Sequence, residues 1–165
     1  MIRYLLIPIS FVYCLLMRLR NLFYDSGVFK NHTLGARVIS VGNITWGGTG
    51  KTPLVLFLQQ AFLEQGKNPG ILIRGYGSDE STLLSSLAPN IPVMVGKDRV
   101  KTGKEAVKKH SLDTLLLDDG FQYRRLKRDL DIVCIDALNP FGNGWVIPTG
   151  SMREGFESLK RADVF

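Results

Sequence analysis

The fold of this chain is decided by the stretch Val38-Ile39-Ser40-Val41-Gly42-Asn43-Ile44-Thr45-Trp46-Gly47-Gly48-Thr49-Gly50-Lys51-Thr52. It begins with a short β-branched run, passes through a glycine-rich loop and opens an apolar segment, residues 51–64, that predicts a helix. A strand, a glycine-rich loop and a helix in this order are typical of a phosphate-binding loop. Backbone N–H groups and the helix N-terminus then face the phosphates.

The loop predicts a site for a nucleoside triphosphate with magnesium. Lys51 is expected to neutralise charge on the β- and γ-phosphates, and the Thr52 hydroxyl to bind Mg²⁺. The general pattern has a glycine where Thr45 stands, and the adjacent pair Gly47-Gly48 supplies similar backbone freedom. The predicted nucleotide-binding residues are Thr45, Trp46, Gly47, Gly48, Thr49, Gly50, Lys51 and Thr52.

Beyond this loop, apolar strands alternate with helices. We predict strands at 38–41, 71–73, 91–95, 114–117 and 131–135, and helices at 51–64 and 98–110. Pro92 favours an edge position for the third strand. Strands that are apolar throughout and alternate with helices indicate a mostly parallel sheet covered on both faces. The predicted fold class is therefore α/β and P-loop NTPase-like.

Two acidic pairs follow predicted strands. Asp118-Asp119 ends the run 115–117, where a carboxylate can hold Mg²⁺ directly or through water. The sequence does not choose between these two aspartates, and a plain Asp-Gly turn is the alternative reading. Asp79-Glu80 follows the loop 75–78, and a carboxylate there can accept a proton from an attacking hydroxyl. A solvated loop carboxylate is the commoner case.

The charge balance suits an anionic partner. The chain has 165 residues, enough for one domain, and a formal net charge of +6. Nucleic acid is not expected, because no RNA-module or zinc-finger pattern is present. We interpret the lysine-rich helix 98–110 as solvated surface for most of its length. Arg124 and Arg125 lie behind the nucleotide site in sequence and are expected to meet an anionic substrate or lipid head groups.

Residues 4–17 form an apolar run interrupted only by Ser10. The run is short for a spanning helix, which needs about 20 residues, and no small-x-small cleavage site follows it. A narrow polar stripe is formed on a helix by Arg3, Ser10, Arg18, Asn21 and Asp25. We therefore predict an interfacial helix in the cytoplasmic leaflet over residues 1–26, ahead of a domain over 27–165. A buried helix packed on another domain is the alternative.

Six segments together resemble one family, the tetraacyldisaccharide 4'-kinases, the lipid A 4'-kinases of Gram-negative bacteria. The segments are Val41 to Pro53, Arg74-Gly75-Tyr76-Gly77, Asp79-Glu80, Asp118-Asp119-Gly120-Phe121-Gln122-Tyr123, Phe141-Gly142-Asn143-Gly144-Trp145 and Pro148-Thr149-Gly150-Ser151-Met152-Arg153-Glu154. They occur in family order across almost the whole chain. The family also tolerates a residue other than glycine at the position of Thr45.

The resemblance implies a monomeric, ATP- and Mg²⁺-dependent kinase on the cytoplasmic face of the bacterial inner membrane. It would phosphorylate the 4'-hydroxyl of an acylated disaccharide 1-phosphate. Asp79 matches the family's catalytic base, with Ser78 in place of a glycine, and Lys51 is the second catalytic residue. Arg74 and Arg153 lie in matching motifs and join Arg124 and Arg125 as expected contacts for substrate or membrane.

The resemblance also implies a longer protein with a second, C-terminal lobe that carries a histidine. Residues 161–165 read as the approach to a further strand. We therefore expect a truncated chain that binds ATP and turns over poorly. Two alternatives stay open: a non-catalytic, membrane-bound nucleotide-binding fragment, and another P-loop NTPase. A GTPase is disfavoured because the guanine-reading Asn-Lys-x-Asp is missing from the sequence.

Overall fold

The computed structural model describes residues 2–75, 84 and 86–165. Its helices are α1 (Ile2–Asp25), α2 (Lys51–Glu64) and α3 (Arg99–His110), with a 3-10 helix at Phe156–Arg161. Its strands are β1 (Arg37–Gly42), β2 (Pro69–Ile73), β3 (Val93–Val95), β4 (Thr114–Asp118) and β5 (Leu130–Val133). Each predicted strand is present, and its ends lie within two residues of the predicted ones.

The five strands form one sheet in the order β3-β2-β4-β1-β5, and every neighbouring pair is parallel. The prediction of a mostly parallel sheet is confirmed and sharpened. β3 lies at the edge, as Pro92 indicated, and the Pro92 carbonyl still accepts a bond from Ile71 N at 3.0 Å. β1 lies beside β4 with Val41 paired to Asp118. The glycine-rich loop and the Asp-Asp turn therefore leave the sheet side by side.

Helices cover both faces of the sheet because successive strand residues point to opposite sides. One core cluster packs α2 against the sheet through Ile39, Val41, Val55, Ile71, Ile73 and Leu116. The other packs α3 against the opposite face through Val38, Leu72, Val100, Ala106, Leu115 and Leu117. Each Val, Leu or Ile side chain in these clusters contributes about 1.5–3 kcal/mol on burial.

The end of β1 and the turn after β4 touch closely. A Cβ at Gly42 would lie 2.5 Å from Phe121 Cβ and 2.7 Å from Phe121 N, so only glycine fits there. Gly120 N donates to Val41 O at 3.1 Å across the same junction. The backbone of these two loops is therefore held together before any ligand binds.

α1 turns Ser10, Tyr13 and Asn21 toward the rest of the protein and most of its large apolar side chains outward. Ser10 is buried and accepts a hydrogen bond from Thr149 N at 2.9 Å, and Tyr13 OH donates to Arg153 O at 2.8 Å. Eight large apolar side chains of α1 are between 40% and 68% exposed: Ile9, Phe11, Val12, Leu15, Leu16, Leu19, Leu22 and Phe23. By length and composition alone, Leu6–Asp25 is long and apolar enough to cross a membrane.

A buried carboxylate anchors the second half of α1. Glu154 is 1% exposed and accepts hydrogen bonds from Arg20 (2.7 Å), Asn21 (2.9 Å) and Arg161 (2.9 Å). Arg20 and Asn21 belong to α1, whereas Arg161 ends the 3-10 helix. Two guanidinium groups and one amide thus converge on one carboxylate and tie three segments together.

The residues expected to approach a further strand do pair beside β5. Val133 N donates to Val164 O at 2.9 Å, and Asp163 N donates to Asp131 O at 2.9 Å. The bridge between Ile132 and Val164 is parallel. These contacts extend the sheet beyond β5 with residues that run parallel to the other strands.

Candidate nucleotide-binding site

The glycine-rich loop opens toward solvent at the carboxyl end of β1. Gly47 (φ 127°) and Gly50 (φ 76°) adopt backbone angles that side chains disfavour. A Cβ built at Gly47, Gly48 or Gly50 would meet no described atom within 4 Å. Because Gly50 precedes α2 without a side chain to cap it, the N–H groups of the first helical turn can face a ligand.

A second segment braces this loop from behind. Trp46 N donates to Ser151 O at 2.8 Å, and Arg153 N donates to Ile44 O at 2.7 Å. Thr45 is buried in the antiparallel bridge to Met152 that these bonds flank. Thr45 therefore supports the loop from behind, while Trp46 is exposed beside the glycines.

The Asp-Asp turn meets the start of α2. Thr52 Oγ1 donates to Asp118 Oδ2 at 3.1 Å, and Lys51 Nζ lies 4.0 Å from Asp119 Oδ1. The four predicted residues from two distant motifs are thus adjacent. Asp118 Oδ1 is buried and has no hydrogen-bond partner within the described part of the chain. A buried carboxylate oxygen without a hydrogen-bond partner is a suitable ligand for a cation.

The environment of Asp118 makes this carboxyl group harder to ionise than a solvated one when nothing is bound. Burial raises the pKa of Asp118, and the charge of Asp119 raises it further, while the Thr52 hydroxyl and Lys51 lower it. A cation at Oδ1 would compensate for the lost solvation. Within residues 2–75, 84 and 86–165, no cluster of three or more His, Cys, Asp or Glu side chains could hold a metal. Mg²⁺ often binds one or two protein ligands plus phosphates and water, a number that Thr52 and Asp118 can supply.

Asp119 is held differently from Asp118. Arg153 Nη1 donates to both of its carboxylate oxygens, at 2.7 Å and 2.8 Å. The backbone of Asp119 lies in the left-handed region at φ 53°, which is uncommon for a residue other than glycine. Asp119 is therefore fixed between Arg153 and Lys51.

Arg99 is a site residue that the sequence reading missed. It opens the lysine-rich helix interpreted as mostly solvated, yet it is 1% exposed. Its guanidinium donates to Asp118 O and Asp119 O, both at 2.9 Å. One signal was available, because an arginine in a first helical turn opposes the helix dipole and needs another reason to be there.

Gln122 and Asn43 also join the site without having been assigned a role. Gln122 Nε2 donates to Asn43 O at 2.8 Å, which links the turn after β4 to the start of the loop. Asn43 is fully buried, and its amide lies 3.4 Å from Gly47 O. Both residues lie in segments that resemble the family, but the sequence alone does not show that they pair across the sheet.

The other predicted site residues lie apart from this cluster or outside the described residues. Arg124 is buried against α1, where it donates to Asp25 at 2.6 Å and to Asn21 O at 3.0 Å. Arg125 is half-exposed, 3.8 Å from Asp98. Arg74 is exposed just beyond β2. Asp79, the predicted base, lies outside the described residues.

These features define a P-loop nucleotide-binding protein: a parallel sheet, a glycine-rich loop leading into Lys51-Thr52, and an aspartate on the neighbouring strand. A family model described as LpxK, tetraacyldisaccharide-1-P 4'-kinase, matches residues 2–165. The chain belongs to this family.

Individual relatives agree with that assignment. A tetraacyldisaccharide 4'-kinase of Syntrophus aciditrophicus is 43% identical over 170 residues, covering 88% of this chain and 46% of the relative. One from Pelobacter propionicus is 40% identical, covering 97% and 51%. The crystal structure of the "apo" form of LpxK from Aquifex aeolicus in complex with ATP has a TM-score of 0.90 at 35% identity, covering 99% of this chain and 58% of that one. The chain therefore spans about half the length of the relatives it matches.

Proposed function

We propose that this chain carries the nucleotide site of an ATP-dependent kinase that phosphorylates the 4'-hydroxyl of a tetraacyldisaccharide 1-phosphate. The observation that carries the proposal is the meeting of Thr52 with Asp118, at 3.1 Å, beside Lys51 and Asp119. Membership of a family described as tetraacyldisaccharide-1-P 4'-kinase supports the acceptor. The Aquifex aeolicus protein in complex with ATP supports the donor.

The residues present fit a magnesium nucleotide. Thr52 Oγ1 and Asp118 Oδ1 would hold Mg²⁺, which supplies charge neutralisation on the phosphates when bound. We choose Asp118 over Asp119 as the metal ligand because Asp118 has the unpartnered oxygen, whereas Arg153 occupies both oxygens of Asp119.

Lys51 would change partner when a nucleotide binds. Its ammonium faces Asp119 at 4.0 Å, too long for a tight pair, and phosphate oxygens at the loop would draw it away. Asp119 stays anchored by Arg153, so its carboxylate keeps its position. The loop N–H groups and Lys51 together would orient the γ-phosphate for transfer.

We propose Asp79 as the base that takes the proton from the sugar hydroxyl, and Arg74, Arg125 and Arg153 as contacts for anionic groups of the lipid. Arg124 contributes indirectly, since its guanidinium holds the end of α1.

We further propose that residues 1–26 associate with the cytoplasmic leaflet and that residues 27–165 form the kinase domain. The outward apolar face of α1 supports this arrangement, because its polar stripe is already used against the body. A helix held in this way would place the site at the surface where an acylated substrate resides.

Lys51→Ala is expected to lower transfer of label from γ-labelled ATP to tetraacyldisaccharide 1-phosphate by about 100-fold or more, because the lost ammonium stabilises charge on the transferred group. The assay uses the full-length protein, with Lys104→Ala on the exposed face of α3 as the matched control. No label in the lipid with the unchanged protein, or equal label with Lys51→Ala, would refute the kinase.

The same assay tests an alternative function for this chain. Because the chain spans about half of its relatives, a chain that binds ATP without turnover is the alternative. ATP binding by residues 1–165, together with transfer only by a longer protein, would favour that reading for this chain.

Asp118→Asn is expected to stabilise the metal-free protein by about 0.5–2 kcal/mol and to weaken Mg²⁺-dependent ATP binding by about tenfold or more. Because burial raises the pKa of Asp118 in the folded state, ionisation there costs free energy, and stability falls as pH rises through the interval between its ordinary and its raised pKa. Asparagine removes that charge. Urea unfolding across pH 4–8 in chelator measures the effect.

Asp113→Asn provides a control of opposite sign. The backbone N–H of Asn68 lowers the pKa of Asp113, so this carboxylate is stabilising above its ordinary pKa. Its replacement should lower stability at neutral pH and leave ATP binding unchanged. A loss of stability in Asp118→Asn like that in Asp113→Asn would contradict the assignment.

A further inference from the structure

A groove of about 280 Å³ runs between α1 and the segment that braces the glycine-rich loop. Phe11 and Leu15 form its α1 wall, and Trp145 and Phe156 line its other side. Arg18 and Glu157, which also line the groove, form an exposed ion pair. None of these side chains has a role in the nucleotide site described above.

The groove continues the outward apolar face of α1. Phe11 is 68% exposed and Leu15 48%, and across the groove Trp145 is 47% and Phe156 48% exposed. Four large apolar side chains on two separate segments therefore face solvent around one channel. Scattered exposed apolar residues are ordinary, but a contiguous set of this kind marks an interaction surface.

The chemistry of the rim favours lipid as the occupant. Tryptophan is enriched where a membrane meets water, because one part of its ring is apolar and its N–H is polar. Arg18 is already paired with Glu157, so lipid is favoured by Trp145 and by the adjoining helix, whose residues Leu6–Asp25 are long and apolar enough to cross a membrane. The whole chain carries a net charge of +6, which suits an anionic surface. A helix whose apolar face already points outward supplies the continuous wall against which a chain of methylenes can lie.

We propose that this groove receives an acyl chain of a bilayer lipid, so that Trp145 and Phe156 enter the membrane surface together with α1. The inference rests on the proposed membrane association of α1. It adds a second membrane-contacting element, which begins 130 residues along the chain from Leu15 of the α1 wall.

The second element is joined to the nucleotide site through backbone. Val146, next to Trp145, bridges to Met152, and Met152 bridges to Thr45 of the glycine-rich loop. Met152 N also donates to Trp145 O at 3.1 Å. Insertion of Trp145 would therefore fix the height of the glycine-rich loop above the bilayer.

Trp145 supplies its own probe, because the chain has two tryptophans. In Trp46→Phe, Trp145 is the single emitter. Vesicles of phosphatidylcholine and phosphatidylglycerol with brominated acyl chains should quench its fluorescence, whereas unbrominated vesicles should not. A reference protein with Trp46→Phe, Trp145→Phe and Phe57→Trp carries its emitter on α2, at a side chain that is 67% exposed and outside the groove. Its quenching should be weak.

A second measurement uses affinity. Trp145→Ser and Phe156→Ser are each expected to weaken vesicle binding by about tenfold, the loss expected for one buried aromatic side chain. Phe57→Ser removes a ring that is even more exposed but lies outside the groove, and it should change vesicle binding less than twofold. Thermal unfolding without vesicles verifies that each variant is folded.

Each contrary outcome is distinct. Vesicle-bound protein with unquenched Trp145 would overturn the groove and leave the proposed membrane association of α1 intact. Equal quenching at both emitters would show unspecific adsorption and would also overturn it. Absence of vesicle binding would overturn both membrane proposals, while lipid labelling in detergent tests the kinase separately. Self-association that Trp145→Ser abolishes, without quenching, would assign the groove to a second copy of the chain.

Discussion

Replacing Glu154 by alanine is expected to destabilise the protein by about 3–5 kcal/mol, the usual cost of removing one partner from a buried charge pair. Glu154 is 1% exposed and receives Arg20, Asn21 and Arg161. Without it, the largely buried guanidinium of Arg161 loses its carboxylate, and α1 loses its main polar anchor. Urea unfolding in detergent, followed by circular dichroism, measures the change.

A nearby ion pair serves as the control. Glu157 pairs with Arg18 of α1, but both side chains are largely exposed, at 40% and 60%. An exposed pair contributes roughly 0–1 kcal/mol, so Glu157→Ala should be nearly neutral. Glu154→Gln should lie between, since the amide keeps one acceptor and loses the charge. Equal, small effects of Glu154→Ala and Glu157→Ala would show that the buried network does not hold α1.

The second large effect is expected at Arg99. Arg99→Met should cost about 2–4 kcal/mol, because two partly buried carbonyl groups lose their donors while methionine fills part of the space. Burial lowers the pKa of Arg99, and the charges of Asp119 and Asp118 oppose that shift. The guanidinium remains protonated throughout the accessible pH range. ATP binding should weaken too, since Arg99 fixes the backbone of both aspartates.

Two further variants on the same helix serve as controls for Arg99→Met. Lys101→Met changes an exposed side chain and should alter stability by no more than about 0.5 kcal/mol. Arg99→Lys keeps the charge but cannot donate to two carbonyl groups in a fixed fork, so it should recover only part of the loss. If Arg99→Met unfolded at the same urea concentration as Lys101→Met, the backbone clamp would have no energetic weight.

The nucleotide loop was predictable because its signals are local. β-branched residues, glycines and Lys51-Thr52 occur in one continuous stretch, and their order specifies a strand, a loop and a helix. The neighbouring aspartates were predictable in kind, since an apolar strand ends on them. Their division of labour was not, because it depends on Arg153 reaching one carboxylate and leaving the other.

Contacts between segments that are far apart in the chain could not be predicted from the sequence. The polar stripe of α1 was correctly located at Ser10 and Asn21, yet its spacing alone cannot show whether it faces water or protein. Its partners Thr149 and Glu154 lie more than 130 residues away in the chain. Arg99 was missed for the same reason, because its acceptors are carbonyl groups of another loop.

The orientation of α1 gives the membrane proposal its physical basis. A helix that directs its polar residues inward and its leucines outward would be unfavourable in water alone. Hydrogen bonds to Ser10 and Tyr13, and the network at Glu154, hold it in that orientation. In the proposed arrangement the apolar face would meet lipid without loss of contacts to the body.

The central claim, that Lys51, Thr52 and Asp118 form a site for magnesium and ATP, is tested most directly by calorimetric titration of this chain with ATP. The predicted result is saturable binding that requires Mg²⁺ and weakens by about tenfold or more in Lys51→Ala and in Asp118→Asn, whereas Lys104→Ala binds normally. Binding of equal strength in all four proteins, or binding indifferent to Mg²⁺, would contradict the account.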